Sequence, residues 1–331
     1  MTTLITGGAG FIGSNFIPYF LEKNIGAQVV NLDKLTYAGN LNNLEEVSNK
    51  RYHFVEGDIC DSRLVNSIFN KYSIDAVIHF AAESHVDNSI NNPNSFIKTN
   101  VNGTFVLLEA ARKYWGENNV NNRFHHISTD EVYGSLGNSG FFTEETPYAP
   151  NSPYSASKAA SDFLVRSYHH TYGMNTVTSN CSNNFGPKQH NEKFIPTIIR
   201  TALEGEKIPI YGNGKNVRDW LYVKDHCCGI NKIFHSGKSG ETYLLGGSNE
   251  YDNLEIAEKI CTILDVERPK KKGSYTEQIA FVTDRKGHDF RYAIDASKVK
   301  KELGWMTEEE FGSGLRKTIK WYLNKYKETR I

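Results

Sequence analysis

The stretch Gly7-Gly8-Ala9-Gly10-Phe11-Ile12-Gly13 directly follows a short apolar strand pattern at residues 3–6 and opens a helical pattern. Glycine permits a tight turn at this point and leaves room for a phosphate group to approach the amino terminus of the helix. Unpaired N–H groups and the helix dipole at that terminus favour negative charge. The stretch therefore predicts a strand–turn–helix unit that binds the pyrophosphate of a dinucleotide.

Asp33 stands at the end of the next predicted strand, about twenty residues after the glycine turn. A carboxylate there accepts hydrogen bonds from an adenosine ribose and repels a 2′-phosphate, which favours NAD over NADP. Lys34 weakens that preference slightly. Asp58-Ile59 and Phe80-Ala81-Ala82 end two further strand patterns and are candidate cofactor contacts, although a helix cap at Asp58 and close packing at the alanines fit equally well.

Apolar strand patterns alternate with helical patterns through the first half of the chain. The strands are predicted at residues 3–6, 28–33, 53–56, 76–80 and 124–128. Each crossover helix must return over the sheet before the next parallel strand begins. We therefore predict an α/β fold, in which residues 1–178 form a doubly wound parallel sheet of the Rossmann type. Residues 179–331 are predicted to form mainly a smaller carboxy-terminal substrate-binding lobe, interleaved with the first part.

The composition limits the class of protein. The 331 residues include 38 Lys+Arg and 38 Asp+Glu, so the net charge does not indicate a nucleic-acid or anionic-membrane partner. The chain shows neither a signal pattern nor an apolar stretch near the roughly 20 residues of a membrane span, so we expect a cytoplasmic protein. The five cysteines form an odd count without metal-ligand spacing, so we expect reduced thiols and no metal site.

A helix start is predicted at Asn151-Ser152-Pro153, where a capping side chain precedes proline in the first turn. Tyr154 and Lys158 then lie four residues apart on one face of that helix. A free tyrosine has a pKa near ~10, and both an adjacent ammonium group and a positively charged nicotinamide favour its phenolate. The pair is a candidate for general-base chemistry, although this spacing is also common on exposed helices.

A second candidate segment begins within the strand predicted at residues 124–128 and continues past its end. It reads Ile127-Ser128-Thr129-Asp130-Glu131-Val132-Tyr133-Gly134. Ligands bind at the carboxyl edge of the sheet in doubly wound folds. Adjacent carboxylates at a strand end also cap helices, and Asp130 and Glu131 alone would favour that interpretation. Together with the glycine turn and the Tyr154–Lys158 pair, the segment favours a catalytic role over a helix cap. We therefore predict a catalytic set of Thr129, Asp130, Glu131, Tyr154 and Lys158.

These motifs resemble those of the extended short-chain dehydrogenase/reductases, and among them the dTDP-glucose 4,6-dehydratase family. The similarity extends over nearly the whole chain. The Thr129-Asp130-Glu131 triplet is its most discriminating part, since related epimerases and decarboxylases lack the aspartate. The similarity also includes Asp33-Lys34-Leu35-Thr36-Tyr37-Ala38-Gly39-Asn40, Ala81-Ala82-Glu83-Ser84-His85-Val86-Asp87, Asn180-Cys181-Ser182-Asn183-Asn184, Val217-Arg218-Asp219-Trp220 and Gly287-His288-Asp289.

The resemblance implies that a nucleotide-linked hexose is converted into its 4-keto-6-deoxy form with loss of water. Tyr154 would remove the 4-hydroxyl proton while Thr129 orients that oxygen and a hydride passes from C4 to NAD. Glu131 would then remove the C5 proton, and Asp130 would protonate the departing C6 hydroxyl. Return of the hydride to C6 would regenerate NAD in each turnover.

The resemblance also implies the binding residues. Lys193 and Arg218 suit a pyrophosphate because their cationic groups supply charge-assisted donors. The alternative for Arg218 is an ion pair with Asp219 or Asp225. The substrate contacts are predicted to be Ser84, Thr129, Asn183, Lys193, Arg218, Asn253, His288 and Tyr292. The NAD contacts are predicted to be Gly7, Gly10, Phe11, Ile12, Gly13, Asp33, Lys34, Leu35, Thr36, Asp58, Ile59, Phe80, Ala81, Ala82, Ser84, Thr99, Tyr154, Lys158 and Asn184.

Three sites depart from the family pattern. Asn88 and Phe290 stand where arginines are typical, and Lys188-Gln189-His190-Asn191 replaces an aromatic and proline-containing run. All three flank the inferred substrate pocket, so they bear on the substrate rather than on the reaction. dTDP-glucose is expected, and UDP-N-acetylglucosamine or UDP-glucose is the alternative.

Two further functions compete with this prediction. A nucleotide-sugar 4-epimerase or decarboxylase would share NAD, Tyr154 and Lys158 but would not need Asp130 as an acid. A dinucleotide-sensing regulator would not need the complete catalytic set. Helices beginning near Thr99 and Pro153 resemble the pair that forms a dimeric four-helix bundle in this family, so we also expect a homodimer.

Overall fold

The computed structural model describes residues 1–47, 50–116, 121–284 and 287–328. Its strands are β1 (Thr2–Thr6), β2 (Gln28–Asp33), β3 (Tyr52–Glu56), β4 (Ala76–His79), β5 (Arg123–Thr129), β6 (Thr176–Cys181), β7 (Asn183–Phe185), β8 (Ile208–Tyr211), β9 (Val217–Tyr222), β10 (Thr242–Leu245), β11 (Glu250–Asp252) and β12 (Ile279–Val282). The first five lie within one or two residues of their predicted bounds.

The helices connect these strands. They are α1 (Phe11–Lys23), α2 (Ser62–Tyr72), α3 (Val86–Asn91), α4 (Pro93–Phe96), α5 (Thr104–Trp115), α6 (Pro153–Tyr172), α7 (Phe194–Glu204), α8 (Val223–Ser236), α9 (Asn253–Glu267), α10 (Ser297–Leu303) and α11 (Phe311–Glu328). A π-helical segment at Ile97–Gly103 joins α4 to α5, and 3-10 turns lie at Leu41–Leu44, Asp130–Tyr133 and Tyr275–Gln278.

The large sheet has the strand order β3-β2-β1-β4-β5-β6-β10, and neighbouring strands are parallel throughout. Helices cover both faces. Phe16 of α1 and Ile230 of α8 lie in the core on one face, and Phe69 of α2 and Leu107 of α5 lie in the core on the other. The prediction of a doubly wound parallel sheet is therefore confirmed.

Smaller sheets lie in the second part of the chain. One has the order β11-β9-β7, and the other pairs β12 with β8. Their core includes residues of α7, α9 and α11. The boundary predicted at residue 178 falls inside β6, and β10 joins the large sheet. A boundary there would cut a strand of the large sheet. The division of the chain into two parts stays a prediction.

The helix α6 begins where the sequence predicted it. The Ser152 side chain accepts a hydrogen bond from the Ser155 N–H at 3.0 Å, and the Ser155 hydroxyl accepts one from the Ser152 N–H at 3.0 Å. A cap of this kind typically contributes about 0.5–2 kcal/mol. It also sets the first turn of the helix, so Tyr154, Lys158 and Asp162 lie on the face that packs against β5.

In the described part of the chain, no helix is long and apolar enough to cross a membrane. The cytoplasmic location stays a prediction. Cys60, Cys181, Cys227, Cys228 and Cys261 are free thiols. Among the described residues, no group of three or more His, Cys, Asp or Glu side chains is placed to hold a metal ion.

The loop between β10 and β11 packs directly on β9. The Gly247 N–H donates to Asp219 Oδ2 at 2.8 Å, and a Cβ atom at Gly247 would lie only 1.9 Å from the Trp220 carbonyl oxygen. Since that oxygen belongs to the backbone of a strand, a side chain at this position would force strand and loop apart. This contact joins the edge of the large sheet to the small sheet that carries Arg218.

We expect Gly247→Ala to lower the free energy of unfolding by about 1–3 kcal/mol, because the methyl group overpacks a backbone contact. Gly137→Ala is the matched control. Gly137 is exposed, and an added Cβ there would meet no atom within 4 Å, so its effect should stay below about 1 kcal/mol. Guanidinium chloride denaturation measures both, and equal stabilities would contradict the packing argument.

Candidate active site

A cavity of about 320 Å³ lies at the carboxyl ends of the parallel strands. Ligand cavities typically measure about 300–1,000 Å³, and in doubly wound folds they lie where the strand order reverses, here between β1 and β4. The predicted residues that line it are Gly7, Gly10, Phe11, Ile12, Gly13, Asp33, Lys34, Thr36, Asp58, Ile59, Phe80, Ala81, Ala82, Ser84, Thr99, Thr129, Asp130, Glu131, Tyr154, Lys158, Asn183, Asn184 and Lys193.

The glycine turn is held between β2 and β4. The Gly8 N–H donates to Asn31 Oδ1 at 3.1 Å, and the Ala9 N–H donates to Asp33 Oδ2 at 2.8 Å. Gly7 has a φ of +71°, and a Cβ there would lie 2.7 Å from the backbone of Ala81. The turn and the first residues of α1 line the cavity, so the amino terminus of α1 faces it and provides the donors that suit a pyrophosphate.

The carboxylate of Asp33 lies at the ribose end of the predicted cofactor site. Burial raises the pKa of Asp33, while the N–H groups of Leu35 and Ala9 oppose that shift. Lys34 Nζ lies 2.8 Å from Asp58 Oδ2. The Asp58 carboxylate therefore compensates the positive charge of Lys34, which a 2′-phosphate would need as its partner. Asp61, rather than Asp58, accepts the capping hydrogen bonds at the start of α2, so the helix-cap alternative for Asp58 is wrong.

Leu35 lies outside the cavity lining, although it was predicted as a cofactor contact. Its N–H donates to Asp33 Oδ1 at 2.9 Å, and its backbone has a φ of +52°. This left-handed conformation is unusual for a branched side chain. The hydrogen bond from Leu35 helps to orient the Asp33 carboxylate, and a direct contact of Leu35 with the cofactor stays a prediction.

Tyr154 and Lys158 both lie buried at the cavity. Burial raises the pKa of Tyr154 well above its usual value, and the nearby charge of Glu131 raises it further. Burial lowers the pKa of Lys158 to about 8, against the charge of Asp162. Lys158 Nζ donates to the Ile127 carbonyl at 2.8 Å. The phenolate of Tyr154 is thus disfavoured in the protein alone and needs positive charge in the cavity.

The triplet Thr129-Asp130-Glu131 joins the end of β5 to a 3-10 turn. The Thr129 hydroxyl accepts from the Glu131 N–H at 3.3 Å and donates to Asp130 Oδ1 at 3.3 Å. Asp130 is only 2% exposed, and burial raises its pKa well above the usual value, as do the charges of Glu131 and Asp219. These surroundings favour the protonated form of the Asp130 carboxyl, which suits a group that donates a proton.

Lys193 and Asn184 are among the residues of the second part that line the cavity. Lys193 Nζ donates to the Ser84 carbonyl at 2.7 Å. The Asn184 side chain donates to the Ser182 carbonyl at 3.0 Å, and its Oδ1 lies 2.9 Å from His226 Nδ1. These contacts orient a cation and an amide at the cavity wall.

The predicted substrate residues Arg218, Asn253, His288 and Tyr292 lie outside this lining. The Arg218 guanidinium lies 4.2 Å from the centre of the Tyr292 ring and donates to the Val217, Asp289 and Phe290 carbonyls. Besides burial, the charge of Glu131 raises the pKa of Tyr292, which places this cluster beside the catalytic triplet.

The two other substrate candidates, Asn253 and His288, also belong to the second part of the chain. Asn253 is the first residue of α9, and His288 Nδ1 lies 2.6 Å from Asp284 Oδ1.

The positions that depart from the family pattern have different surroundings. Asn88 donates to the Tyr37 hydroxyl at 3.4 Å, and that hydroxyl donates to Glu192 Oε1 at 3.2 Å. Lys188 donates to the carbonyls of Ser14 and Asn43. Phe290 is exposed and lies outside the cavity lining.

The remaining lining residues were not predicted as contacts, although Gln189 and His190 belong to a run that was expected to flank the substrate pocket. Most of them adjoin predicted residues or end a strand, and that position was the available signal. They are Leu32, Ala38, Gly39, Gly57, Glu83, Ile127, Ser128, Cys181, Ser182, Gln189, His190 and Glu192.

Comparison with known proteins agrees with this geometry. Residues 4–318 match the family model described as GDP-mannose 4,6 dehydratase. The chain is 56% identical over 328 residues to the dTDP-glucose 4,6-dehydratase of Xanthomonas campestris pv. campestris (strain B100), which covers 97% of this chain and 93% of that protein.

Solved structures of such enzymes share the whole fold. The dTDP-glucose 4,6-dehydratase of Bacillus anthracis str. Ames in complex with NAD has a TM-score of 0.88 at 45% identity, covering 99% of this chain and 98% of that one. The Streptomyces venezuelae enzyme, also with NAD bound, has a TM-score of 0.91 at 44% identity with the same coverage. As its motifs predicted, the chain belongs to the dTDP-glucose 4,6-dehydratase family.

Proposed function

We propose that this protein catalyses the NAD-dependent 4,6-dehydration of dTDP-glucose to dTDP-4-keto-6-deoxyglucose and water. One observation carries the proposal. Asp130, whose surroundings keep it protonated, lines one cavity together with Glu131, Tyr154 and Lys158. An enzyme that only oxidises or epimerises at C4 has no use for a buried proton donor beside a carboxylate.

The cavity suits NAD as the cofactor. The glycine turn and the amino terminus of α1 offer N–H donors to the pyrophosphate, and Asp33 offers a carboxylate to the adenosine ribose. Bound NAD supplies reversible hydride acceptance and positive charge on its nicotinamide. The relatives solved with NAD bound support this assignment.

Three of the catalytic side chains then each move a separate proton. Tyr154 removes the 4-hydroxyl proton, and Thr129 orients that oxygen. The resulting C4 ketone acidifies the C5 hydrogen, which Glu131 removes. Asp130 gives its proton to the departing C6 hydroxyl, so one water leaves. Lys158 stabilises the Tyr154 phenolate as the neighbouring positive charge.

The substrate is held by residues from both parts of the chain. Lys193 and Arg218 supply charge-assisted donors to its pyrophosphate. The remaining proposed contacts to the nucleotide sugar are Ser84, Thr129, Asn183, Asn253, His288 and Tyr292. The names of the relatives support dTDP-glucose over the alternative UDP-N-acetylglucosamine.

We also propose a homodimer formed through α5 and α6. These two helices pack against each other, yet each leaves a large aromatic side chain in solvent: Phe105 is 44% exposed and Phe163 is 56% exposed. Exposed apolar surface on paired helices favours burial against a second copy.

Deuterium placed on C4 of dTDP-glucose is expected to appear on C6 of the product without net accumulation of NADH, because the hydride is returned within the same site. Mass spectrometry and NMR of the product measure the label. UDP-N-acetylglucosamine, run in parallel, should be converted far more slowly. Washout of the label, or a product that keeps its 6-hydroxyl, would reject the dehydratase.

Asp130→Asn is expected to slow elimination by about 10²–10⁴-fold, the usual contribution of a general acid, and to change the first oxidation far less. In the wild type the elimination rate should fall as the pH rises through the raised pKa of Asp130, because the acid loses its proton there. The variant should lack that decline. Single-turnover kinetics separate the two steps, and equal loss of both would contradict this role.

Phe163→Asp is expected to give a monomeric mass in light scattering, because a carboxylate opposes burial of that surface. Phe281→Asp is the matched control, since Phe281 is 58% exposed on β12, in the other part of the chain. It should keep the wild-type mass. A monomeric wild-type protein would reject the dimer, and a dimeric Phe163→Asp protein would reject this surface.

A further inference from the structure

A buried polar network lies behind the catalytic pair on α6. The helix places Tyr154, Lys158 and Asp162 at successive intervals of four residues, and all three are buried. Lys158 Nζ lies 3.4 Å from His126 Nε2, and the same His126 nitrogen lies 3.1 Å from Asp162 Oδ1. The Lys158 ammonium group and the Asp162 carboxylate thus both lie close to the same buried nitrogen of the His126 ring.

Hydrogen-bond donors and the charge of Lys158 partly offset the burial of Asp162. Its Oδ2 accepts from Ser128 Oγ at 2.8 Å, from the Tyr148 hydroxyl at 2.9 Å and from Asn180 Nδ2 at 3.3 Å. Burial raises the pKa of Asp162 to about 6, against the charge of Lys158 and these donors. The group therefore carries negative charge at neutral pH, in a place where a lone carboxylate would be too costly to bury.

The surroundings of His126 favour its neutral form. Burial, together with the charge of Lys158, holds the pKa of His126 well below its usual range. A neutral imidazole has one N–H, so Nε2 either donates to Asp162 or accepts from Lys158. Asp162 Oδ1 makes no hydrogen bond, so Nε2 accepts from Lys158, and the Asp162 carboxylate acts on Lys158 through its charge. Lys158 also donates to the Ile127 carbonyl, which orients the ammonium group.

We propose that Asp162 is a positioning residue whose charge, beside His126, holds Lys158 in its ammonium form on the face of α6 that carries Tyr154. This inference rests on the proposed function, because it gives Asp162 its role through the charge that Tyr154 requires. Asp162 is not one of the site residues named above, and it acts on them through this network.

Other titratable groups facing the network carry no compensating charge. From β6, the Cys181 thiol faces Lys158, and burial raises its pKa so that it stays protonated. From β4, the His79 ring lies 5.3 Å from the His126 ring, and burial lowers its pKa. The hydroxyl of Tyr148, like that of Tyr133, faces Asp162, and burial raises both of their pKa values.

The energetic reason is the desolvation of Lys158. A buried lysine without a carboxylate nearby loses its proton readily, and burial can lower a lysine pKa by several units. The charge of Asp162 opposes this loss. Without it, the pKa of Lys158 would be lower, and less of the lysine would carry the charge that the Tyr154 phenolate requires.

Asp162→Asn tests the proposal. We expect the titration midpoint of Lys158 to fall by about 1 pH unit, the usual effect of one close opposite charge. NMR of ¹³C-labelled lysine follows the Lys158 Cε resonance, assigned by its loss in Lys158→Arg. The basic limb of kcat/KM for the oxidation step should move to lower pH by a similar amount.

Tyr148→Phe is the matched control, because it removes one donor to the same carboxylate and leaves the charge in place. It should keep the Lys158 midpoint near that of the wild type. An unchanged midpoint in folded Asp162→Asn protein would overturn the proposal, as would equal shifts in both variants.

The wild-type protein provides a test that needs no variant. The ¹⁵N resonance of His126 Nε2 should change with a midpoint near pH 6, following Asp162, and the absence of that change would also overturn the proposal. These NMR measurements do not depend on turnover. Absence of sugar oxidation by the wild type would instead reject the proposed function, so the two failures are distinguishable.

Discussion

The packing of α6 on β5 through polar side chains is the contact on which the site depends. Lys158 donates to the Ile127 carbonyl, and Ser128 donates to Asp162, so the helix is fastened to the strand by hydrogen bonds at the point where β5 ends. Taking ions out of water costs several kcal/mol each unless partners replace the solvent. Because these partners come from one strand, the helix cannot rotate without leaving buried charge unpaired, and Tyr154 is held at the cavity.

Burial favours the protonated form of both Asp130 and Tyr154, but their proposed roles need opposite things from it. It keeps the proton on Asp130, which suits a group that must donate one. It also keeps the proton on Tyr154, which must lose one. The same dry cavity therefore supplies the acid without further help but requires positive charge for the base. In the proposed mechanism, Lys158 and the positive charge of a nicotinamide cofactor meet that requirement.

Much of the fold was predictable because its signals are local. Apolar runs bounded by turns located β1 to β5, and Ser152 and Pro153 marked the start of α6 before any partner was known. Tyr154 and Lys158 followed from helical spacing. The place of β10 beside β6 was not predictable, because that pairing joins segments separated by several helices and strands. The contact of Arg218 with the Tyr292 ring likewise depends on two distant segments meeting.

The sequence by itself determined the glycine turn, the acidic residue after β2, the catalytic triplet and the Tyr–Lys pair, since each depends on residue type at short spacing. Only the tertiary structure decided how burial and neighbouring charges shift the pKa values of the ionisable side chains at the site. The pairing of His126 with Asp162 brings together residues from a strand and a helix, and the protonation of Asp130 reflects how completely water is excluded. Desolvation is a property of the packed interior, and a sequence pattern does not record it.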